Sequence, residues 1–155
     1  MKNGQISFRA MVAADLPASR RLWAMTDGVE LAEGDSEEEL AAYLDRNPCM
    51  SFVATQDDVL VGAILAGHDG RRGLIYHLAV DPRCRGVGVG QRLVELALEA
   101  LRRAKISRVL ILVAKDNESG RCFWARCGWE ELTFAQPMAF DLTMGGNAGE
   151  AWSTS

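Results

Sequence analysis

The sequence lacks the features that would indicate a membrane span, a metal site or a nucleic-acid partner. No apolar run in the 155 residues reaches the roughly 18 residues that a membrane-spanning helix needs. The chain has only two histidines and four cysteines, and the cysteine spacing matches no zinc pattern, so we expect no metal. The net charge of -4 argues against a nucleic-acid partner, which would require a basic face.

Composition and termini indicate one cytoplasmic globular domain. The chain is 48% hydrophobic and 25% charged, as in ordinary globular proteins. Its N-terminus lacks the apolar core of a signal peptide, so we expect cytoplasmic protein with reduced thiols. We expect all four cysteines to be small buried hydrophobes. A single domain is predicted over residues 1–144, followed by a flexible tail over residues 145–155.

A glycine-rich turn is the most informative segment of the chain. It reads Val80-Asp-Pro-Arg-Cys-Arg-Gly-Val-Gly-Val-Gly-Gln91. A buried apolar run at 74–80 precedes it, and a pattern of helical spacing at 91–101 follows. Glycines lack a Cβ and so leave room for a ligand beside the backbone, while unpaired amides at a helix start favour an anion. The segment therefore predicts a phosphate-binding cradle.

The remaining patterns predict the element order β-α-α-β-β-β-α-β-α-β-β. Asp15 is expected to cap the first helix, and Ser36 with Glu39 forms a capping box for the second. The glycine turn follows the fourth strand, which disfavours the dinucleotide-binding fold, where it follows the first. Predicted strands lie at 5–11, 50–55, 59–67, 74–80 and 108–114, helices at 15–26, 36–46, 91–101 and 119–127, and a final hairpin at 129–135 and 138–143.

Two motifs give the chain a family resemblance over residues 7–142. Arg85-x-x-Gly88-x-Gly90 resembles the acetyl-CoA signature of the GNAT acyltransferases. The later motif Asn117-x-x-Gly120-x-x-Phe123-Trp124-x-x-x-Gly128-Trp129 resembles that family's second motif at identical spacing. The resemblance implies an α+β fold, a three-layer sandwich around a mixed sheet whose fourth and fifth strands splay apart.

The resemblance also implies acetyl-CoA as co-substrate and assigns residues to it. Its pantetheine arm would pair with backbone groups of the fourth strand, and its pyrophosphate would lie on the amides of the glycine turn. Asn117 would hydrogen-bond the pantetheine, although an N-cap role for the last helix is equally compatible. The residues assigned to the co-substrate are Leu78, Ala79, Val80, Arg85, Gly86, Val87, Gly88, Val89, Gly90, Gln91, Asn117, Gly120 and Trp124.

The proton-transfer residues of the family are not matched. Trp124 stands where a tyrosine often protonates the leaving thiolate, and an indole is not an acid. Leu112 stands where the ribosomal-protein N-terminal acetyltransferases have a glutamate. Tyr76 and His77 on the fourth strand are the replacement candidates, although packing is the commoner role for each. Adjacent strand residues point to opposite faces, so only one would face the acceptor without a local bulge.

The resulting hypothesis is an N-acetyltransferase that moves an acetyl group from acetyl-CoA to a primary amine of a small molecule or peptide. Transfer would occur by direct attack in a ternary complex. One alternative is a CoA-binding sensor with weak or lost catalysis, and another is a nucleotide-binding protein. The acidic segment 30–35 either attracts a cationic amine or is a solvated charge run. A homodimer is possible, because C-terminal strands in this family often exchange between subunits.

Overall fold

The computed structural model describes residues 4–143 of the chain. The chain divides into two compact units, and the boundary between them falls between residues 112 and 113. The first unit contains a sheet and three helices, and the second contains one helix. The strands are β1 (Ile6–Ala10), β2 (Phe52–Gln56), β3 (Val59–His68), β4 (Gly73–Val80) and β5 (Val109–Ile111), and the helices are α1 (Leu16–Ala24), α2 (Glu37–Arg46), α3 (Val89–Arg103) and α4 (Glu118–Arg126).

The five strands form one mixed sheet in the order β1-β2-β3-β4-β5. The first three pairings are antiparallel, and β4 pairs with β5 in parallel after the crossover through α3. Asp57 and Asp58 form the β2–β3 turn with positive φ angles of 50° and 62°, as a tight hairpin requires. This arrangement confirms the predicted mixed sheet.

The helices of the first unit cover both faces of the sheet. Trp23 of α1 and Leu40 of α2 share a buried cluster with Val53 of β2 and Ala63 of β3. On the opposite face α3 packs closely on β3. A Cβ added to Gly62 of β3 would lie 3.0 Å from the Leu93 side chain of α3. Alternate strand residues point to opposite faces, so these contacts define three layers.

The two predicted helix caps differ in outcome. Ser36 caps α2 as predicted, since its hydroxyl accepts a hydrogen bond from the Glu39 amide at 3.1 Å. Asp15 precedes α1, but its carboxylate does not cap that helix. It instead accepts two hydrogen bonds from the Arg9 guanidinium, at 2.7 and 2.8 Å, and one from the Val12 amide at 2.9 Å. The two-pronged guanidinium on β1 offers stronger charge-assisted bonds than a helix amide does.

The predicted C-terminal hairpin is wrong, because residues 129–143 contain no strand. Their alternating apolar side chains suggested a strand, but a strand also requires a neighbour that completes its backbone hydrogen bonds. Within residues 4–143 the sheet ends at β5. Five large apolar side chains of this segment are exposed instead, namely Leu132, Phe134, Met138, Phe140 and Leu142.

The cysteine prediction holds only in part. Cys84 is buried and its thiol lies 3.6 Å from Gln56 Oε1. Cys49 and Cys122 are exposed and Cys127 is half-buried. Cys49 lies in the turn before β2, at a positive φ of 62°. A turn residue belongs to neither the helical nor the strand periodicity, so those patterns do not predict whether it is buried.

Residues 4–143 contain no cluster of three or more histidine, cysteine or acidic side chains that could ligate a metal ion. Over the same residues, each helix is too short or too polar to cross a bilayer. The predicted tail at 145–155 lies outside the described residues, and the single domain boundary at 144 stays a prediction.

Candidate active site

The edge of β4 that faces β5 is open over its second half. The two strands pair only between Gly73–Ile75 and Val109–Ile111. Beyond Ile75 no strand covers this edge of β4 within the described part of the chain. The predicted strand at 108–114 is accordingly shorter, because its partner has no matching register after Ile75. This opening corresponds to the predicted separation of the fourth and fifth strands.

A β-bulge occupies the point where β4 leaves β5. Ala66 pairs with Ile75 and Ile64 pairs with Leu78, so Leu65 alone faces two residues, Tyr76 and His77. Such a bulge inserts one extra residue into a strand and redirects its side chains. Because of it, the expected choice between Tyr76 and His77 does not arise, and both rings lie on the face covered by α1 and α2.

Ring contacts establish where the two side chains lie. The His77 ring is 5.1 Å from that of Trp23 on α1, and the Tyr76 ring is 6.0 Å from that of Tyr43 on α2. The two adjacent rings are 6.5 Å apart. Two groups able to carry protons are therefore neighbours at the start of the open strand edge.

Backbone groups beyond the bulge alternate in direction. The Asp81 amide donates to the Val61 carbonyl at 2.7 Å, which marks a hydrogen-bonded pair of the antiparallel ladder. Since such pairs alternate, the Ala79 backbone faces β3, while Leu78 and Val80 turn their backbone groups toward the opening. Two of the three residues assigned to the pantetheine arm, Leu78 and Val80, thus present backbone hydrogen-bonding groups to the opening between β4 and β5. Arg85 Nε already donates to the Val80 carbonyl at 3.0 Å.

The backbone of the glycine turn before α3 is exposed. Gly86 and Gly88 have φ angles of +79° and +86°, a left-handed conformation that side-chain-bearing residues adopt at a cost. A Cβ built on either residue would meet no atom within 4 Å, so the space in front of the turn is open. Gly88 is the N-cap of α3, and no side chain caps this helix. The amides of its first turn are therefore available to an anion.

The sequence indicated Asp35 only as part of the acidic segment 30–35, and the structure places it in direct contact with His77. The distance from its Oδ1 to His77 Nε2 is 3.0 Å, and both side chains are largely buried, with 14% and 12% exposed. Its Oδ2 accepts from the Ala32 amide at 3.0 Å. Burial raises the pKa of Asp35, but hydrogen bonds from His77 and Ala32 and the nearby charges of His77 and Arg20 lower the pKa by more, so it falls below its usual value. Asp35 is therefore a carboxylate at neutral pH.

Tyr76 is a protonated phenol at the mouth of a small recess. Its pKa is raised by burial and by the negative charges of Asp35 and Asp69. Burial also raises the pKa of Tyr43. A cavity of about 210 Å³ opens beside the two tyrosines, and its lining is completed by Arg46, Asn47, His68, Asp69 and Leu74.

In the second unit the residues of the later motif have structural roles. Asn117 caps α4, since its Oδ1 accepts from the Gly120 amide at 3.0 Å, as one of its two predicted roles required. Trp124 is buried, with ring centroids 5.2 Å from Phe123 and 5.0 Å from Trp129. The assignment of Asn117, Gly120 and Trp124 to a co-substrate stays a prediction.

Comparisons with known proteins agree with this fold and define its family. Residues 17–129 match the model of the acetyltransferase (GNAT) family. The chain therefore belongs to this family of acyltransferase enzymes.

An acetyltransferase of Pectobacterium atrosepticum is 29% identical over 105 residues, which are 68% of this chain and 74% of that protein. Another, from Photorhabdus laumondii, is 31% identical over 55% of this chain and 59% of its own length. The chain thus spans less than two thirds of the second relative.

The fold is shared with PaiA N-acetyltransferase of Thermoplasma acidophilum, whose structure was solved in complex with coenzyme A. The TM-score is 0.67 at 19% identity, and the match covers 79% of this chain and 87% of that one. At this identity the likeness concerns the fold alone.

Proposed function

We propose that this acetyltransferase moves the acetyl group of acetyl-CoA to a primary amine of a small molecule or peptide. The observation that carries the proposal is the β4 bulge, which brings Tyr76 and His77 together beside an open strand edge. The edge leads toward the glycine turn, so proton-transfer groups and a phosphate-binding backbone lie along one strand–turn–helix segment.

The residues present fit acetyl-CoA in two respects. Gly86 and Gly88 leave open space before uncapped helix amides, which suits a pyrophosphate. Leu78 and Val80 carry outward backbone groups, which suit the amides of an extended pantetheine chain. When bound, acetyl-CoA would supply an acetyl thioester whose carbonyl carbon gains the acceptor nitrogen and whose thiolate leaves.

The proton movements fall to the bulge residues. A lysine-like amine with a pKa near 10.4 is only about 0.04% neutral at pH 7, which costs about 4.6 kcal/mol. His77 is the base that removes the amine proton, since it is the one histidine beside the open strand edge. Tyr76 returns a proton to the departing thiolate, because its raised pKa keeps the phenol protonated. The recess beside Tyr76 and Tyr43 offers room for the acceptor.

An acceptor screen with His77 variants tests the proposal. The purified protein is mixed with acetyl-CoA and free amino acids, polyamines, aminoglycosides or peptides, and acceptor-dependent CoA release is measured. His77→Gln should lower kcat by about 10²-fold or more, in line with the loss of a general base, while acetyl-CoA binding is retained. The control is Arg103→Gln, at an exposed position at the C-terminal end of α3, outside both the recess and the glycine turn. Full activity of His77→Gln, or no CoA release with any amine, would contradict the proposal.

Trp124 favours one second candidate, a CoA-binding sensor without turnover. The indole stands at the usual tyrosine position and is packed between two aromatic rings. Tight acetyl-CoA binding without transfer to any amine would support this candidate. Calorimetry with acetyl-CoA, ATP and NAD separates both candidates from a nucleotide-binding protein, which would prefer ATP or NAD.

A further inference from the structure

We propose that Asp35 is a positioning residue that holds His77 as its Nε2–H tautomer and leaves Nδ1 as the atom that receives the acceptor's proton. The assignment rests on the proposed acetyl transfer for its catalytic part. Asp35 belongs to the connection between α1 and α2, 42 residues from His77 along the chain, and its carboxylate meets the ring at 3.0 Å.

Asp35 is itself held at four points. Its two carboxylate oxygens contact His77 and the Ala32 amide, and its own amide donates to the Ala32 carbonyl at 3.1 Å. Its carbonyl accepts from Arg20 Nε on α1 at 2.8 Å. The carboxylate cannot turn away from the ring without straining or breaking its hydrogen bond with the Ala32 amide as well. Its position is therefore set by α1 and by the connection itself.

The contact determines the tautomer of His77. An ionised carboxylate only accepts hydrogen bonds, so the nitrogen that faces it must carry hydrogen. A neutral imidazole carries one N–H, and the partner of one nitrogen therefore decides the state of the other. With hydrogen on Nε2, the free lone pair of the neutral ring is on Nδ1.

Nδ1 remains available to a ligand. It forms no hydrogen bond with residues 4–143. Among the side-chain nitrogens and oxygens of those residues that lack a hydrogen-bond partner, only Ser19 Oγ is fully buried, so Nδ1 is not. Nδ1 is therefore accessible to solvent. The ring plane is restrained by Trp23, whose ring is tilted by 52° at 5.1 Å.

The charged and titratable groups around the ring come from four elements. Asp35 contacts the ring from the α1–α2 connection. Arg20 of α1 donates to the Asp35 carbonyl, and its guanidinium lies 3.9 Å from Glu37 Oε1. Tyr76 adjoins the ring on β4, with Tyr43 of α2 beyond it. Asp35 is the one carboxylate that these contacts bring to the ring.

The proton is conserved through the step. As the acceptor nitrogen bonds to the acetyl carbon, its proton moves to Nδ1 and the ring becomes an imidazolium with hydrogen on both nitrogens. The Asp35 carboxylate faces this new positive charge and stabilises it. Tyr76 supplies the proton that the leaving thiolate takes, and solvent returns both groups to their starting states.

Nitrogen NMR of the wild-type protein tests the tautomer without any acceptor. With only two histidines in the chain, ¹⁵N-labelled imidazoles can be assigned by comparison with His68→Gln. In its neutral state the His77 ring should carry its hydrogen on Nε2. In Asp35→Asn the share of the Nδ1–H form should rise, because an amide can also donate. Hydrogen on Nδ1 in the wild type, or an unchanged tautomer mixture in Asp35→Asn, would overturn the assignment.

Kinetics separate this role from a structural one. Asp35→Asn should lower kcat about 10- to 100-fold, by analogy with the partners that orient metal-bound histidines, with little change in the KM of either substrate. Asp35→Glu should recover part of the loss. Asp27→Asn removes an equal charge from an exposed position of the same connection, outside the acidic segment 30–35, and should leave both constants unchanged.

If His77→Gln is inactive while Asp35→Asn keeps full kcat, the positioning role is wrong although the proposed function stands. If His77→Gln is fully active, the proposed base is wrong, and the NMR result still decides whether Asp35 sets the tautomer.

Discussion

Replacing Gly88 with alanine is a direct test of the phosphate-binding backbone before α3. Gly88 adopts a φ of +86°, and the added methyl group would meet no protein atom within 4 Å. The substitution therefore adds backbone strain and a group that projects into the open space where the pyrophosphate is proposed to lie. It removes no contact within the described part of the protein.

The size of both effects follows from this geometry. The left-handed conformation costs a residue with a Cβ about 1–2 kcal/mol, which corresponds to a fall in Tm of roughly 2–8 °C for a chain of this size. Displacing the phosphate from one charged hydrogen bond costs about 1.5–3 kcal/mol, or roughly a 10- to 150-fold rise in the Kd of acetyl-CoA.

Calorimetric binding and thermal unfolding measure the two effects separately. Gly70→Ala is the matched control, because Gly70 has a φ of +95° and equally open space in the turn between β3 and β4. Both variants should lose similar stability, but only Gly88→Ala should lose affinity. If Gly88→Ala binds acetyl-CoA as tightly as Gly70→Ala does, the turn does not hold the phosphates.

Two further predictions concern the framework of the first unit. Asp15→Asn should lower the free energy of unfolding by about 1 kcal/mol at pH 7, because it weakens the pair with the half-exposed Arg9. Arg9 lowers the pKa of Asp15, so this stabilisation exists above about pH 4 and disappears as the pH falls through the folded-state pKa; urea unfolding should show the variant and wild type converging there. Leu93→Ala, at a fully buried position of α3, should cost about 2–5 kcal/mol in the same assay, whereas the exposed neighbour Arg92→Ala should cost under about 0.5 kcal/mol. Equal effects of these last two substitutions would disprove the packing of α3 on β3.

The sequence predicted the elements whose signals are local. The turn between the strands predicted at 50–55 and 59–67, the Ser36 cap and the glycine turn each depend on a few adjacent residues, and the structure contains all three. The boundaries of α3 and α4 also lie within two residues of the predicted ones. Helical spacing of apolar residues is enough to locate such elements.

Predictions that required a partner elsewhere in the chain failed or were incomplete. The alternation in residues 129–143 predicted a hairpin, but the segment forms no ladder. Asp15 was expected to cap α1, yet Arg9 on a neighbouring strand engages it. A period of two describes where side chains point, and it contains no information about which backbone will lie alongside.

The sequence by itself determined the strand, glycine turn and helix that suit a phosphate, and the order of elements from β1 to α4. These depend on backbone freedom at Gly88 and on the periodicity of nearby apolar residues, which are properties of short segments. Only the tertiary structure decided that Tyr76 and His77 share one face, because the bulge arises from the register between β3 and β4. It also decided that Asp35 meets His77, since that contact joins residues 42 apart through the packing of α1 on the sheet.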